Sequence, residues 1–257
     1  MTVAICIGAY RLAEFVELNL CQCLRLFGED TLVLVSDDRS PNSDAIKAIA
    51  DKHGAGYVVG EKRCSHFSGD LQCFINASKF GELTGCDVII KISQRFVPAH
   101  EQFVNVLLSP FEEPGVAMVF PGQPKKNQMA RPGAMFYSGF GLLTDCVAWR
   151  PKELMAGQIE SFYRDQLTDV TDQKKGKHLV EVTFGRIAAK LLDGRIRSLD
   201  ALANHHIGKP KLFLRKAQSN RGEYINLAKQ HGIEGDFDVR EWAAIEGKDY
   251  LPIGAII

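Results

Sequence analysis

The chain has 257 residues, of which 46% are apolar and 24% charged, enough for a sizeable core in one large domain or two small ones. Thirty-one basic and thirty-one acidic residues cancel, so no global field draws the protein to nucleic acid or an anionic membrane, and any anion recognition must be local. The opening MTVAICIGAY lacks the basic flank and long apolar stretch of a signal peptide, and no run reaches transmembrane length. A cytoplasmic protein without a transmembrane segment is expected, with peripheral membrane contact left open.

In chain order, Val3 to Ile7 predicts a strand and Leu12 to Phe27 a helix. Thr31 to Val35 predicts a second strand ending in Ser36-Asp37-Asp38-Arg39-Ser40, and Ser43 is placed as N-cap of a helix over 44–52. A short strand at 57–59, a helix at 68–83 and a strand at 88–92 follow, then a helix near 101–108 and a strand at 116–120. The strands are nearly continuous aliphatic runs, as when helices cover both faces of a sheet. The expected class is α/β, a mostly parallel Rossmann-like sheet flanked by helices.

Beyond Pro121 the pattern loosens. Residues 122–132 read as a polar, basic loop and 139–149 as a further strand. Helices are predicted at 151–167 and 179–192, a short strand at 196–199, and mostly helix beyond. One domain over 1–257 is expected, with a nucleotide-binding half at 1–121, an acceptor half at 122–211 and a helical C-terminal segment at 212–257. Seven cysteines form no CxxC pair and read as reduced, mostly buried thiols.

Glycine-rich phosphate loops are absent: neither GxGxxG nor GxxxxGK[ST] occurs, and GxSxG and HExxH are missing as well. What remains is a set of strand ends, the place where open α/β sheets bind ligands. Ala9-Tyr10-Arg11 follows the first strand, Asp37-Asp38 the second, and Lys91-Ile92-Ser93-Gln94-Arg95-Phe96 straddles the end of the fourth.

In order and spacing these segments resemble the nucleotide-sugar transferases of the GT-A fold, specifically the large inverting family with an "ARN"-like first turn and a "DDGS"-like second motif. The likeness runs from Val3 to about Lys211. The resemblance implies a glycosyltransferase with a nucleotide-sugar donor and a carbohydrate or lipid-linked glycan acceptor. It places Ala9, Tyr10, Arg11, Asp37 and Asp38 at the donor nucleotide, a carboxylate accepting without donating. The other reading of Asp37 and Asp38 is a turn that caps the next helix.

At the end of the fourth strand the family's metal-binding Asp-x-Asp is replaced, and the KISQRF run is similar to that of a set of bacterial polysaccharide-synthesis transferases. Cations can neutralise a leaving diphosphate. Lys91, Gln94 and Arg95 are therefore expected at the diphosphate, joined by His206, Lys209 and Lys211, with no cofactor and no metal site, a divalent cation such as Mg2+ or Mn2+ being left open but without an Asp-x-Asp to support it. The alternative is that Lys91 and Arg95 pair with surface carboxylates and that residues 204–216 form a basic loop.

By the same resemblance Glu181, opening a helix, is the expected base on the acceptor hydroxyl, with Asp145 in reserve as base or acceptor ligand. Glu181 also fits a plain helix-dipole role. Polysaccharide or lipopolysaccharide synthesis is the implied pathway. A non-catalytic scaffold subunit with the same fold stays open as the alternative.

Overall fold

The computed structural model describes residues 1–61, 63, 65–121, 144–167, 180–192, 194–199, 211–215 and 217–238. Strand β1 (Val3–Ala9) lies at the centre of a seven-stranded sheet, between β2 (Leu32–Asp37) and β4 (Val88–Ser93), parallel to both. Beyond β2 comes β3 (Gly56–Val59), also parallel. Beyond β4 the order continues through β7 (Cys146–Trp149), β6 (Met118–Pro121) and β8 (Ile196–Leu199). β7 is antiparallel to both of its neighbours, and β6 runs parallel to β8.

The side-chain period of two sorts each strand between two cores. Ile5 and Ile7 of β1 and Ile90 and Ile92 of β4 face α1 (Ala13–Phe27), meeting Val16 and Leu20. Ala4 and Cys6, with Ile89, face α3 (Ser65–Thr84), meeting Cys73 and Phe74. Gly8 continues the second row, and a Cβ there would lie 3.0 Å from Cys73 Sγ, so the glycine lets α3 approach the strand end. Burial pushes the thiols of Cys23 and Cys146 up, as expected of buried cysteines held in their protonated form.

On the α1 side the layer is completed by α2 (Ser43–Lys52) and α4 (Gln102–Leu108), and on the α3 side by α5 (Ala156–Leu167) and α6 (Val180–Leu191). The N-cap of α2 is Asn42 and not Ser43, because the Ser43 hydroxyl is drawn back to Asp37 and to the Ser40 carbonyl, each at 2.7 Å. α5 begins later than expected, since Arg150 to Leu154 closes a separate turn in which Glu153 N donates to Arg150 O at 3.0 Å.

Two strands of two residues each are absent from the sequence reading. β5 (Val97–Pro98) pairs antiparallel with β9 (Phe213–Leu214), and Ala99 N donates to Leu212 O at 2.9 Å. The following helix α7 (Ala217–Lys229) packs Tyr224 and Leu227 with Phe15, Leu18 and Phe237 in a third apolar cluster. Tyr224 and Phe237 both meet the Phe15 ring edge-on, with centroids 5.1 and 4.9 Å away.

No helix among the described residues is long and apolar enough to cross a membrane.

Candidate active site

The carboxyl ends of β1, β2 and β4 and the start of β7 meet at one edge of the sheet, because β7 runs opposite to the other three. At the end of β1, Gln94 clamps the chain: Tyr10 N donates to Gln94 Oε1 at 2.7 Å and Gln94 Nε2 donates to Tyr10 O at 2.8 Å. Arg11 then takes a left-handed conformation with φ of 66°, costly for a non-glycine residue unless its surroundings hold it. They do so at both backbone groups: Arg11 N donates to Ser40 Oγ at 2.8 Å, and Arg11 O accepts from Asn42 Nδ2 at 2.7 Å.

The Tyr10 ring is flanked by two guanidinium groups, Arg63 at 4.3 Å from its centroid and Arg11 at 5.3 Å, and Arg11 Nε also donates to Tyr10 Oη at 3.2 Å. This is a half-buried aromatic with cations stacked on it. Ala9 is buried in β1 and contributes backbone, its carbonyl accepting from Asp38 N at 3.0 Å.

The two aspartates after β2 have different situations. Asp37 is 3% exposed and accepts four hydrogen bonds, from Ser40 N at 2.9 Å, Ser40 Oγ at 2.6 Å, and Ser43 Oγ and Tyr57 Oη each at 2.7 Å. Its carboxylate belongs to the turn, which corrects its expected place at the nucleotide: a carboxylate with both oxygens filled from inside has no side left for a base. Burial and the Asp37 bond push Tyr57 up to about 12. Asp38 is half-buried and leans on α3, its Oδ2 lying 2.4 Å from where a Cβ on Gly69 would be. Only a glycine at 69 admits the Asp38 carboxylate in this position.

Lys91 departs further from expectation. In β4 it alternates with Ile90 and Ile92, so it points to the α3 face, and it is wholly buried. Its ammonium donates to Asp70 Oδ1, to Ser93 Oγ at 2.9 Å and to Thr144 O at 2.7 Å, and lies 4.8 Å from the Phe74 ring centre. Burial would depress Lys91, but Asp70, Cys73 and Asp145 outweigh it and hold the ammonium above its ordinary value. A buried cation with three acceptors is a structural tie, which corrects its expected place on the diphosphate and differs from the surface pairing that was the alternative.

Gln94 is likewise committed to Tyr10, and Asn19 of α1 secures its carbonyl at 2.5 Å. Arg95 is half-buried at the edge, and its carbonyl is held by Tyr224 Oη. Asp145 stands opposite: its carbonyl accepts from Ser93 N at 2.7 Å, and its carboxylate pairs with Arg215 Nε at 2.6 Å. Lys211 is turned outward to Glu223 and to Asn220 Oδ1, the latter at 3.0 Å.

Glu181 is in the first turn of α6, but its side chain, like His206 and Lys209 altogether, lies outside the described residues. The sequence reading passed over Arg63 and Asp70. Arg63 could have been found as a cation at the next strand end in the series, and Asp70 as the partner that a lysine in an aliphatic strand demands.

No family model matches the chain, and no curated protein does. Solved structures do. A glucosyl-3-phosphoglycerate synthase from Mycobacterium tuberculosis in complex with UDP is 15% identical, with a TM-score of 0.51 over 91% of this chain and 81% of that one. The same enzyme in complex with Mn2+, UDP and glucosyl-3-phosphoglycerate is 16% identical, with a TM-score of 0.50 over the same shares. A mannosyl-3-phosphoglycerate synthase from Rubrobacter xylanophilus gives 13% identity and a TM-score of 0.45 over 95% of this chain and 75% of that one.

At these identities the likeness is one of fold: a mostly parallel seven-stranded sheet flanked by helices, as in GT-A nucleotide-diphospho-sugar transferases. The expectation of no metal is corrected by the same comparison, since the glucosyl-3-phosphoglycerate synthase complex contains Mn2+. Among the described residues no three of His, Cys, Asp and Glu gather as ligands, and Asp70 and Asp145 are each engaged by a cation. The described side chains alone do not cage such an ion.

Proposed function

We propose that the protein is a glycosyltransferase that moves a sugar from a nucleotide-sugar donor to a hydroxyl acceptor. The observation that carries the proposal is the corner at the end of β1, where the guanidinium groups of Arg11 and Arg63 lie over the Tyr10 ring and the neighbouring end of β2 carries Asp38, whose N–H donates to Ala9 O and whose carboxylate rests against Gly69. An aromatic face with cations suits a base and its phosphates, and a carboxylate accepts from a ribose or base N–H. One enzyme of this fold, the glucosyl-3-phosphoglycerate synthase with UDP in its complexes, supports the reading by analogy of fold.

In this reading Tyr10, Arg11, Arg63 and Asp38 hold the nucleotide, while Arg95 and Arg215 face the leaving diphosphate. The acceptor oxygen attacks the anomeric carbon, the bond from that carbon to the diphosphate oxygen breaks, and the acceptor proton passes to a carboxylate. One such displacement inverts the anomeric centre. Glu181 remains the proposed base, with Asp145 in reserve, although its pairing with Arg215 must open first. His206 and Lys209 are proposed to close over the phosphates, and the acceptor is proposed to be a glycan of a surface polysaccharide or lipopolysaccharide.

The test is a thermal-shift screen against UDP, GDP, CDP and ADP and their sugar conjugates, with Mn2+ or Mg2+ and again with EDTA. A ligand at about 100 times its dissociation constant adds about 2.7 kcal/mol. The expected result is stabilisation by one nucleotide family, lost in Arg63→Ala. Stabilisation by none of them leaves the scaffold reading and ends this one.

A further inference from the structure

A lysine in the middle of an aliphatic strand is an expensive choice. Lys91 is 0% exposed, and taking an ammonium out of water costs several kcal/mol before its partners offset it. A methionine would fill much the same space without that cost, so the lysine calls for an explanation beyond packing.

Its three hydrogen bonds supply one. Asp70 belongs to α3, Ser93 ends β4, and Thr144 is the residue before Asp145, so one nitrogen joins three segments that come from distant parts of the chain. Each segment carries a group of the mouth. Gly69, adjacent to Asp70, is the surface against which Asp38 rests. Ser93 N donates to the Asp145 carbonyl at 2.7 Å, and the Asp145 carboxylate holds Arg215 at 2.6 Å. Directional bonds to three fixed acceptors set a spacing that an apolar side chain does not.

We propose that Lys91 is a positioning residue of the nucleotide-diphosphate site: from behind the sheet edge it fixes the Gly69–Asp70 segment of α3 and the Thr144–Asp145 turn at one spacing, and never touches the ligand. The inference rests on reading the mouth as a nucleotide-sugar site. It accounts for a cation in the KISQRF run that faces away from the open edge.

The test uses full-length Lys91→Met, Asp70→Ala and the double variant K91M/D70N. Three quantities are read: the melting temperature without ligand, the dissociation constant by calorimetry for UDP, GDP, CDP and ADP with Mn2+, and hydrogen exchange at the Ser93 amide. Lys91→Met leaves the partly buried Asp70 carboxylate without its counter-charge and should melt below wild type. The double variant removes both charges and should recover most of that loss. It should still bind the nucleotide about tenfold or more weakly, with faster exchange at Ser93, because the spacing is no longer imposed.

A double variant with wild-type affinity and wild-type Ser93 protection overturns the inference and leaves Lys91 a purely structural ion pair. Should the Lys91 variants not fold, Asp70→Ala decides by affinity, since it removes the α3 end of the tie and keeps the bonds to Ser93 and Thr144: the nucleotide should bind more weakly, and wild-type affinity overturns the inference. Absence of binding by the wild type overturns the site reading and this inference together; binding by the wild type that no variant weakens overturns this inference alone.

Discussion

Replacing Asp37 separates a turn-building carboxylate from a ligand-binding one. Asp37→Ala removes four hydrogen bonds at once, but they are not of equal weight. Ser43 Oγ has the Ser40 carbonyl at 2.7 Å as another acceptor, and Tyr57 Oη has the Ser43 carbonyl at 3.3 Å. Ser40 N and Ser40 Oγ keep no such substitute within the turn. Bonds to a charged acceptor contribute about 1.5–3 kcal/mol each, so two orphaned donors put the loss at about 3–6 kcal/mol. Asp37→Asn keeps one acceptor oxygen for Ser40 and should lose about 1 kcal/mol. Urea unfolding followed by fluorescence and circular dichroism, with coincident transitions, reads both values. An Asp37→Ala midpoint indistinguishable from wild type refutes the account, as does an Asp37→Asn variant of full stability that no longer responds to nucleotide.

Gly69→Ala gains about 1 kcal/mol of helix propensity in the absence of ligand, which the overlap with Asp38 opposes, so its unliganded stability should stay within about 1 kcal/mol of wild type. The new methyl must displace the Asp38 carboxylate, however, so the nucleotide-induced thermal shift should shrink; an unchanged shift removes Asp38 from the site. Tyr57 sets an alkaline limit. Its hydroxyl titrates at about 12 in the folded protein, above the ordinary tyrosine range near 10, so the unfolded state loses its proton first. The stabilisation is therefore complete below about pH 10 and lost as the pH rises towards 12, and denaturation midpoints across that window should fall less steeply in Tyr57→Phe.

The sheet was readable because its strands are short aliphatic runs punctuated by polar turns, a pattern that local sequence alone carries. The strand ends that line the mouth follow from that. Roles within the ends were harder. Asp37 and Asp38 are adjacent, and nothing in their identity says which one the serines at 40 and 43 will capture, although an aspartate followed at the third residue by serine is a common turn device. Lys91 and Gln94 belong to one expected diphosphate cluster, yet Lys91 lies inside β4 and turns to Asp70 of α3, whereas Gln94 lies in the turn just past the strand and its side chain closes on the Tyr10 backbone. The β5 and β9 pairs escaped because two residues carry no period. Arg215 reaches Asp145 only through that pairing, a long-range contact that no local pattern encodes.

That small ladder also orders events during synthesis. Val97 pairs with Leu214, and the Arg95 carbonyl waits for Tyr224, so the rim beside β4 is finished by residues made long after β4 itself. The β1–β4 core can form on the ribosome from the first hundred or so residues, with chain growth at about 5–20 residues per second. Contacts so distant in sequence form late. A nascent chain stopped short of α7 would therefore hold a folded sheet with an incomplete rim, and ligand competence should arrive as a last, separate step of maturation.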